Sequence, residues 1–187
     1  RAFDVVVSSI VLIVFSPVYL LLALAVWCSS RGPVFYCQER VGLHGIPFKI
    51  VKFRTMCVQA EADTPQLSLD NDPRVTRLGK LLRRYRLDEL PQFWNILRGD
   101  MSIVGPRPER RYFINQIEEK APYYCMIYKI RPGLTSWGPI RVGYTDTLEK
   151  MISRLNYDIV YVENMSLGLD MKIMFYTIGV IFNGKGK

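Results

Sequence analysis

The chain has 187 residues, of which 49% are hydrophobic and 22% charged, and this length suits one domain with one core. Its formal net charge of +8 favours an anionic partner, such as nucleic acid, an anionic membrane surface or a phosphorylated substrate. The four cysteines form no C-x-x-C pair and there is one histidine, which argues against a structural zinc site and a disulfide framework and favours thiols in a reducing cytosol.

The first segment is apolar, because no charged residue occurs from Val5 to Cys28. About 20 such residues suffice for a membrane-spanning helix, and the run is too long for the apolar core of a signal peptide. Pro17 removes the helical hydrogen bond to the Ile13 carbonyl, which the Ser16 hydroxyl is placed to satisfy. A kinked span and a re-entrant hairpin, with both ends on one membrane face, are both compatible with these residues.

Two segments rich in aromatic and β-branched residues, 34–37 and 47–51, predict a short β-hairpin. Gly42 to Gly45 lie between them, and His44 is therefore interpreted as a turn residue rather than a ligand. Lys52 and Arg54 follow the second strand and flank one aromatic residue. This pair is a candidate phosphate-binding site, with a solvated strand end as the alternative.

The next helix is predicted to begin at Asp72 and Pro73, which have the pattern of an N-cap acid followed by proline at the first helical position. The polar residues 61–71 before it predict a loop. Six cations follow, of which the first four recur every three residues along one side: Arg74, Arg77, Lys80, Arg83, Arg84 and Arg86. This basic side is interpreted as a solvated face, as a surface for lipid headgroups or phosphates, or as both.

Asp88 and Glu89 precede a predicted helix that runs to about Arg98 and ends at Gly99, with Asp88 as its N-cap. An acidic pair before a helix usually has only a capping role. Here the helix N-terminus and the upstream cations favour ionised carboxylates. An ionised aspartate can attack phosphorus, and a neighbouring glutamate can share Mg²⁺ with it and with phosphate oxygens. The pair is therefore a candidate catalytic and metal site, with capping as the alternative.

Arg107 lies between Pro106 and Pro108, which hold its backbone extended and stiff. Its planar guanidinium matches a phosphate group, so it is a candidate substrate contact. A structural arginine in a rigid loop is the alternative. Arg131, in an Arg-Pro-Gly sequence, is a weaker candidate of the same kind.

The tail contains two predicted helices. Residues 146–164 place apolar side chains on one face, with Asp146 and Glu149 as a capping box. Residues 167–182 are mostly apolar, but Asp170 and Lys172 interrupt them and argue against a full membrane span. This pattern favours an interfacial helix on a bilayer, with burial in a core as the alternative.

These motifs together resemble the bacterial sugar transferase family, the monotopic phosphoglycosyl transferases, over nearly the whole chain. The resemblance rests on six strings in this order: Ser16-Pro17, Lys52-Phe53-Arg54-Thr55-Met56, Leu87-Asp88-Glu89-Leu90-Pro91-Gln92, Asn95-Ile96-Leu97-Arg98-Gly99-Asp100-Met101-Ser102, Val104-Gly105-Pro106-Arg107-Pro108 and Arg131-Pro132-Gly133-Leu134-Thr135.

The resemblance implies a mostly helical α+β fold, with a short β-hairpin and amphipathic interfacial helices around a cytoplasmic active site. Residues 1–30 would form a re-entrant helix-break-helix in the membrane, broken at Ser16 and Pro17, and residues 31–187 the catalytic region. The location implied is the cytoplasmic face of the bacterial inner membrane. The chain, which begins at Arg1, is expected to be either a small family member or the catalytic part of a larger one.

The implied reaction moves a phosphosugar from a UDP-sugar to polyprenyl phosphate, typically undecaprenyl phosphate, as the first membrane step of surface glycan synthesis. Asp88 corresponds to the nucleophile that expels UMP, and Glu89 to its partner in a Mg²⁺-dependent site. Arg107 would contact the phosphate or nucleotide part of the substrate. The further candidate substrate contacts are Lys52, Arg54 and Arg131.

Two hypotheses from other classes remain. A membrane-anchored nucleic-acid-binding module would use the basic helix, but the chain has no recognised binding motif and its aromatics do not alternate with its cations, so no nucleic-acid partner is expected. A non-catalytic membrane scaffold would use Asp88 and Glu89 only as a helix cap. The oligomeric state stays open, with a homodimer as one expectation.

Overall fold

The computed structural model describes residues 1–58, 60, 65–68, 72–143 and 145–184. Of the predicted loop over residues 61–71, only 65–68 fall within these ranges, and they form no helix or strand. The helices are α1 Ala2–Val14, α2 Ser16–Ser29, α3 Arg77–Arg84, α4 Gln92–Arg98, α5 Arg111–Lys120, α6 Trp137–Val142, α7 Leu148–Glu163 and α8 Leu167–Phe182. The strands are β1 Phe35–Val41, β2 Pro47–Phe53, β3 Ser102–Val104 and β4 Gly133–Thr135, and short 3₁₀ helices cover Leu43–Gly45, Leu87–Glu89 and Pro122–Lys129. The mostly helical α+β class is confirmed.

The N-terminal helices form a bent pair, because α1 and α2 meet at Phe15 with a bend of 63°. Pro17 lies in the first turn of α2, where a helix has backbone N–H groups without intrahelical partners, so the proline costs no hydrogen bond there. The predicted bond from the Ser16 hydroxyl to the Ile13 carbonyl is not found within the described residues, and that carbonyl accepts a backbone N–H at the end of α1 instead. No single described helix has the length and apolar composition to cross a membrane, and only this bent pair has them jointly.

Polar contacts fasten the bent pair to the rest of the chain. Asp4 of α1 is buried, and its carboxylate accepts a hydrogen bond from the Ile103 backbone N–H at 3.0 Å. In α2, the Tyr19 hydroxyl donates to the Leu90 carbonyl at 2.7 Å. The second contact ends one residue from Glu89, so the orientation of the bent pair is coupled to the candidate site.

The outer faces of α1, α2 and α8 leave many large apolar side chains exposed. Ile13 is 72% exposed, Leu21 66% and Trp27 65%, and on α8 the values for Leu167 and Phe182 are 75% and 83%. Soluble monomers rarely expose contiguous apolar patches of this kind, so these faces indicate contact with an apolar phase or partner.

The predicted β-hairpin is confirmed. β1 and β2 are antiparallel, and the register runs from Phe35 opposite Phe53 to Val41 opposite Pro47. His44 has φ 56°, in the left-handed region that turns require and in which most residues are disfavoured. It is a turn residue, as predicted.

The predicted start of α3 at Asp72 is wrong, since the helix begins four residues after Pro73. Thr76 is the N-cap, and its hydroxyl accepts a hydrogen bond from the Gly79 backbone N–H at 2.9 Å. The buried Asp72 carboxylate instead accepts from the Arg74 backbone N–H at 3.0 Å and from the Arg74 guanidinium. This local hydrogen bonding makes a turn, which competes with helix at that position.

The capping role predicted for Asp88 is also wrong. α4 begins at Gln92 with Pro91 as its N-cap residue, and Asp88 lies before it in the 3₁₀ helix Leu87–Glu89. The predicted end is confirmed, because Gly99 follows Arg98 with φ 99°.

A second sheet was not predicted. β3 and β4 are parallel, with Ser102 opposite Gly133 and Val104 opposite Thr135. The strands are only three residues long, too short for a periodic pattern. A Cβ on Gly133 would overlap the Gly105 backbone N, so glycine permits this close approach.

α7 and α8 agree with the predicted tail helices. α7 begins at Leu148, with the Thr147 hydroxyl accepting from the Lys150 backbone N–H, whereas Asp146 pairs with the Lys150 ammonium at 2.7 Å. The N-cap is therefore one residue later than predicted, and with Lys150 at the third helical position the predicted capping box is wrong. Buried residues of α7 join two apolar clusters, one with α5 and one with β2, α4 and α8.

Candidate active site

The 3₁₀ helix Leu87–Glu89 carries two consecutive carboxylates between α3 and α4. Asp88 and Glu89 are each only 8% exposed. Burying two adjacent acids is unfavourable unless cations or hydrogen-bond donors compensate them. The carboxylate site is defined here as these two residues with the three cations that contact Glu89: Lys52, Arg86 and Arg107.

Glu89 is the acceptor shared by those cations. The Lys52 ammonium donates to Oε1 at 2.7 Å, and Arg107 Nη2 donates to the same oxygen at 3.2 Å. Arg86 Nη1 lies 3.5 Å from Oε2. Among the described residues, Glu89 is the one side-chain or backbone group that accepts a hydrogen bond from these cations, so most of their N–H donors remain available.

Asp88 differs from its neighbour, because no described residue donates a hydrogen bond to its carboxylate. Lys52, Arg83 and Arg86 are near enough to interact with it electrostatically. The result is a buried carboxylate in a basic environment whose oxygens, as far as the described residues go, can still accept a bond. This is the arrangement expected of a nucleophile or a metal ligand.

The pKa values of the two acids move apart. Burial raises the pKa of Asp88, the charge of Glu89 adds to this, and Lys52, Arg83 and Arg86 oppose it. Burial would raise the pKa of Glu89 as well, but Lys52, Arg107 and Arg86 together hold it well below its ordinary value of 4.5. Adjacent titratable groups with divergent pKa values are typical of functional sites.

Asn95 explains how Lys52 comes to face Glu89. Its buried side-chain amide accepts from the Val51 backbone N–H at 3.0 Å and donates to the Lys49 carbonyl at 2.8 Å. These bonds dock α4 on the edge of β2 as a further strand would dock. They place Lys52, at the end of β2, beside the acidic pair that precedes α4.

Arg86 is a site residue that was not among the predicted ones. Its φ is 53°, a conformation that costs a non-glycine residue of the order of 1 kcal/mol and is found most often at functional sites. Its Nε is buried and has no hydrogen-bond partner among the described residues. Arg86 belongs to the basic run that begins at Arg74, but nothing in the sequence distinguishes it from the other cations of that run.

Arg107 reaches the site from the loop after β3. Its backbone N–H donates to Asp158 of α7 at 3.2 Å, while its guanidinium contacts Glu89. The charge of Glu89 raises the pKa of Arg107. Arg86 and Arg107 also line a shallow cleft between β4, α6 and α8, whose walls include Ser136, Ile140 and Thr177.

The other two candidate arginines make different contacts. Arg54 Nη2 donates to the Ser30 carbonyl at 2.6 Å and so holds the end of α2. Arg131 Nε donates to the Gly99 carbonyl at 3.0 Å, at the end of α4 opposite to the acidic pair. The structure therefore brings Lys52 and Arg107 to the carboxylates but engages Arg54 and Arg131 elsewhere, and their substrate-binding role stays a prediction.

The donor set is compatible with Mg²⁺ but does not form a complete metal cage. Within the described residues, no group of three or more histidine, cysteine or acidic side chains converges. Mg²⁺ is commonly bound through one or two carboxylates together with substrate phosphates. The free oxygens of Asp88 beside Glu89 fit that pattern.

A family model described as bacterial sugar transferase matches residues 1–184 of the chain. The chain is 41% identical to the UDP-N-acetylgalactosamine-undecaprenyl-phosphate N-acetylgalactosaminephosphotransferase of Aeromonas hydrophila, across 100% of the chain and 44% of that protein. It is 45% identical to the UDP-glucose:undecaprenyl-phosphate glucose-1-phosphate transferase of Escherichia coli (strain K12), across 95% of the chain and 39% of that protein.

A protein of the latter name from Caulobacter vibrioides is 42% identical, across 95% of the chain and 67% of its own length. The chain spans less than half the length of the Aeromonas and Escherichia relatives. The likeness therefore concerns one part of those two proteins.

Proposed function

The chain belongs to the bacterial sugar transferase family, and from this membership we propose that it moves a phosphosugar from a UDP-sugar to polyprenyl phosphate, with undecaprenyl phosphate as the lipid. The relatives named above carry that lipid in their names, and two different sugars occur among them. The product would be a polyprenyl diphosphate sugar, which serves as the first membrane-bound intermediate of a surface glycan.

The observation that carries this proposal is the contrast within the acidic pair. Asp88 is buried and accepts no hydrogen bond from a described residue, whereas Glu89 holds three cations. A helix cap would have its oxygens bonded to backbone N–H groups, so capping does not account for Asp88. A buried carboxylate with free oxygens in a basic setting is suited to attack a phosphorus atom.

In the first step, an Asp88 carboxylate oxygen bonds to the phosphorus that carries the sugar. The bond from that phosphorus to the bridging diphosphate oxygen breaks, and UMP leaves with the electron pair. Phosphoryl transfer depends mainly on positioning and neutralisation of charge on the phosphate oxygens. Lys52, Arg86 and Arg107 have unused N–H donors for this purpose.

In the second step, an oxygen of the polyprenyl phosphate attacks the same phosphorus, and the bond to Asp88 breaks. Over the two steps, one diphosphate bond is exchanged for another, so the overall transfer is nearly balanced in energy. Asp88 is regenerated as a carboxylate, and Lys52, Arg83 and Arg86 favour this ionised form against the burial that raises the pKa of Asp88.

Mg²⁺ is the proposed cofactor, and Asp88 and Glu89 would hold it together with the diphosphate of the substrate. When bound, it would neutralise charge that develops on the phosphate oxygens. Glu89 has a lowered pKa and is therefore ionised at neutral pH, as a metal ligand must be.

We place the enzyme on the cytoplasmic face of the bacterial inner membrane, with residues 1–30 as a re-entrant helix pair and residues 31–187 as the catalytic region. The 63° bend and the exposed apolar faces of α1, α2 and α8 support this location. Single cysteines at the two ends of the helix pair, in a chain without its native cysteines, should both be protected from reagents applied outside the cell. Labelling of one end from outside would exclude the re-entrant arrangement.

Assembly as a homodimer stays a prediction, which sedimentation analysis of the purified protein can test.

The decisive experiment is to look for the covalent intermediate. Enzyme given a UDP-sugar and Mg²⁺ without lipid should release at most one equivalent of UMP. The intact-protein mass should increase by one phosphosugar, and digestion should locate the adduct on Asp88. Asp88→Asn should abolish both signals, because an amide is a far poorer nucleophile.

Direct attack by the lipid phosphate is the competing mechanism, and it predicts no UMP and no adduct without lipid. Absence of the adduct after rapid quenching, in a preparation that is active with lipid, would reject Asp88 as the nucleophile while leaving the transferase activity in place. Absence of activity with a panel of UDP-sugars and undecaprenyl phosphate would reject the transferase and favour the membrane scaffold.

A further inference from the structure

α7 carries two buried charged residues one helical turn apart. Arg154 is 7% exposed and Asp158 is 3% exposed, on a helix whose other buried residues are mostly apolar. Residues four apart lie on the same face of a helix. Ionised side chains are buried in this way only when specific partners compensate them, so their partners indicate what they are for.

Asp158 binds backbone and hydroxyl donors from two other segments. Its Oδ2 accepts from the Arg107 backbone N–H at 3.2 Å, and its Oδ1 accepts from the Gly138 backbone N–H at 2.8 Å and from the Ser136 hydroxyl. It forms no ion pair with any residue in the described ranges. One carboxylate therefore joins α7, the start of α6 and the loop that carries Arg107.

Arg154 holds the same loop two residues further on. Its guanidinium pairs with the buried Glu109 carboxylate and also donates to the Thr145 hydroxyl at 2.9 Å. The other oxygen of Glu109 pairs with Arg40 at 2.9 Å, and Arg40 in turn donates to the Pro108 carbonyl at 3.2 Å. The backbone is thus anchored on both sides of the Arg107 side chain.

These anchors matter because the prolines alone do not orient Arg107. Pro106 and Pro108 fix their own φ angles and restrict the residues before them, but rigid-body placement of the segment needs contacts to the fold. The guanidinium has one described contact, with Glu89 at 3.2 Å. A Cβ on Gly138 would lie 2.5 Å from the Arg154 carbonyl oxygen and 2.8 Å from Asp158 Oδ1, so α6 and α7 meet at close range beside this anchor.

We propose that Asp158 is a positioning residue, which acts through the Arg107 backbone N–H to hold the Arg107 guanidinium against Glu89 and, in the reaction, against the phosphate of the substrate. The second half of this proposal rests on the proposed transferase function. The first half concerns only the folded chain and is tested without activity.

The activity test is a double-mutant cycle of Asp158→Asn with Arg107→Ala. Asp158→Asn keeps the shape of the side chain but replaces one acceptor oxygen by an amide donor, which repels one of the three N–H or O–H groups. With Arg107 present, it should lower kcat for UMP release by about 10- to 100-fold, as small misplacements of a catalytic group do. In Arg107→Ala it should have no further effect on kcat.

Asp170→Asn is the matched control. Asp170 accepts a hydrogen bond from the Tyr161 hydroxyl of α7 at 2.7 Å and, within the described ranges, forms no hydrogen bond or ion pair with Arg107. Its substitution also removes a carboxylate that anchors α7, so any effect on kcat should be the same with and without Arg107. An equal effect of Asp158→Asn in both backgrounds would overturn the positioning role and make Asp158 merely structural.

The second test measures folding rather than turnover. Arg107→Ala and Glu89→Gln should shift the denaturation midpoint non-additively when Asp158 is present, because their side chains are in contact. In Asp158→Asn the two shifts should become additive. Coupling that persists unchanged in Asp158→Asn would overturn the proposal. If Asp158→Asn does not fold, both the kcat cycle and the denaturation cycle are repeated with Asp158→Glu, which keeps the charge but moves the carboxylate.

The two proposals fail in different ways. A protein that is active, but in which Asp158→Asn lowers kcat equally with and without Arg107, overturns the role of Asp158 and leaves the transferase function standing. A protein that releases no UMP with any UDP-sugar overturns the transferase function, and the denaturation test still decides the role of Asp158.

Discussion

Glu89 and Glu109 are both buried carboxylates that face more than one cation, and Arg107 lies near both of them. The partners of Glu109 are shared with other acceptors of the protein: Arg154 also donates to Thr145, and Arg40 also donates to Gln38. The three cations at Glu89 have Glu89 as their one described hydrogen-bond acceptor. Their side chains are between 16% and 27% exposed, against 8% for Arg154 and 17% for Arg40, so exposure alone does not distinguish the two clusters.

We infer from this difference that the Glu89 cations form the proposed ligand-binding site, whereas the Glu109 cluster stabilises the fold. N–H donors that already bond other protein groups cannot bind an incoming phosphate unless those native hydrogen bonds break. N–H groups that no described residue accepts, beside an Asp88 carboxylate that no described residue bonds, can bind one directly. Similar net charge and burial therefore lead to different roles, according to how many donors remain free.

The largest expected effect is on turnover at the carboxylate site. Glu89→Gln should lower UMP release by at least ~100-fold, because it removes the shared acceptor that orders three cations and one charge of the proposed metal site. The thermal midpoint should shift measurably but less than in Glu109→Gln, since the cations at Glu89 are partly exposed and can be hydrated. Glu119→Gln, on the exposed face of α5, is the control. Near-normal turnover of Glu89→Gln would remove Glu89 from the site.

Glu109→Gln should show the opposite balance, with a loss of stability that exceeds the loss of turnover per folded molecule. Removing one partner of a buried pair leaves Arg154 uncompensated and costs about 3 kcal/mol of unfolding free energy. Urea titration of the purified protein measures this cost. A variant as stable as the parent chain would mean that the Glu109 cluster does not support the fold.

Arg107→Lys should have a smaller effect, because it keeps the charge but loses the planar fork. We expect turnover to fall about tenfold, the equivalent of one hydrogen bond to a charged group, with the denaturation midpoint retained. Steady-state kinetics at saturating UDP-sugar measures this loss. Unchanged kinetics for both Arg107→Lys and Arg107→Ala would make Arg107 structural or irrelevant to the reaction.

The smallest expected effect is the acid dependence of stability. Burial would raise the pKa of Glu109, but Arg154, Arg40 and Arg107 hold it below its ordinary value of 4.5. A carboxyl with a lowered folded pKa contributes stability above its unfolded pKa and loses this contribution as the pH falls through its folded value. The difference in unfolding free energy between the parent chain and Glu109→Gln should therefore shrink below pH 4.5. A difference that stays constant or grows on acidification would contradict the lowered pKa.

Errors in the sequence-based predictions occurred where an aspartate could either cap a following helix or take another role nearby. Asp72 was predicted to cap a helix, but its carboxylate closes a turn with Arg74 instead. Asp88 was also predicted to cap a helix, yet no described residue donates a hydrogen bond to its oxygens, and α4 begins only at Gln92. In both cases the sequence correctly indicated that an α-helix follows. The local hydrogen bonds decided at which residue that helix begins.

Structural features that depend only on residues close together in the sequence could be predicted from the sequence alone. The apolar run with Pro17 predicted a broken helix, the segments around Gly42–Gly45 predicted the hairpin, and Gly99 predicted the end of α4. Each follows from a local rule of backbone conformation or apolar periodicity. Asp88 and Glu89 are also adjacent in sequence, so their proximity needed no tertiary contact.

The convergence of cations on that acidic pair was decided only by the tertiary structure. Lys52 is 37 residues from Glu89, and it arrives there because the Asn95 side chain docks α4 on β2. Asp158 is 51 residues from Arg107, and it reaches the loop because α7 packs against α6. Such contacts form when separate elements pack and bury their apolar faces together. Local propensity carries no information about them, because the same basic and acidic residues at the same positions would suit a solvated surface equally well.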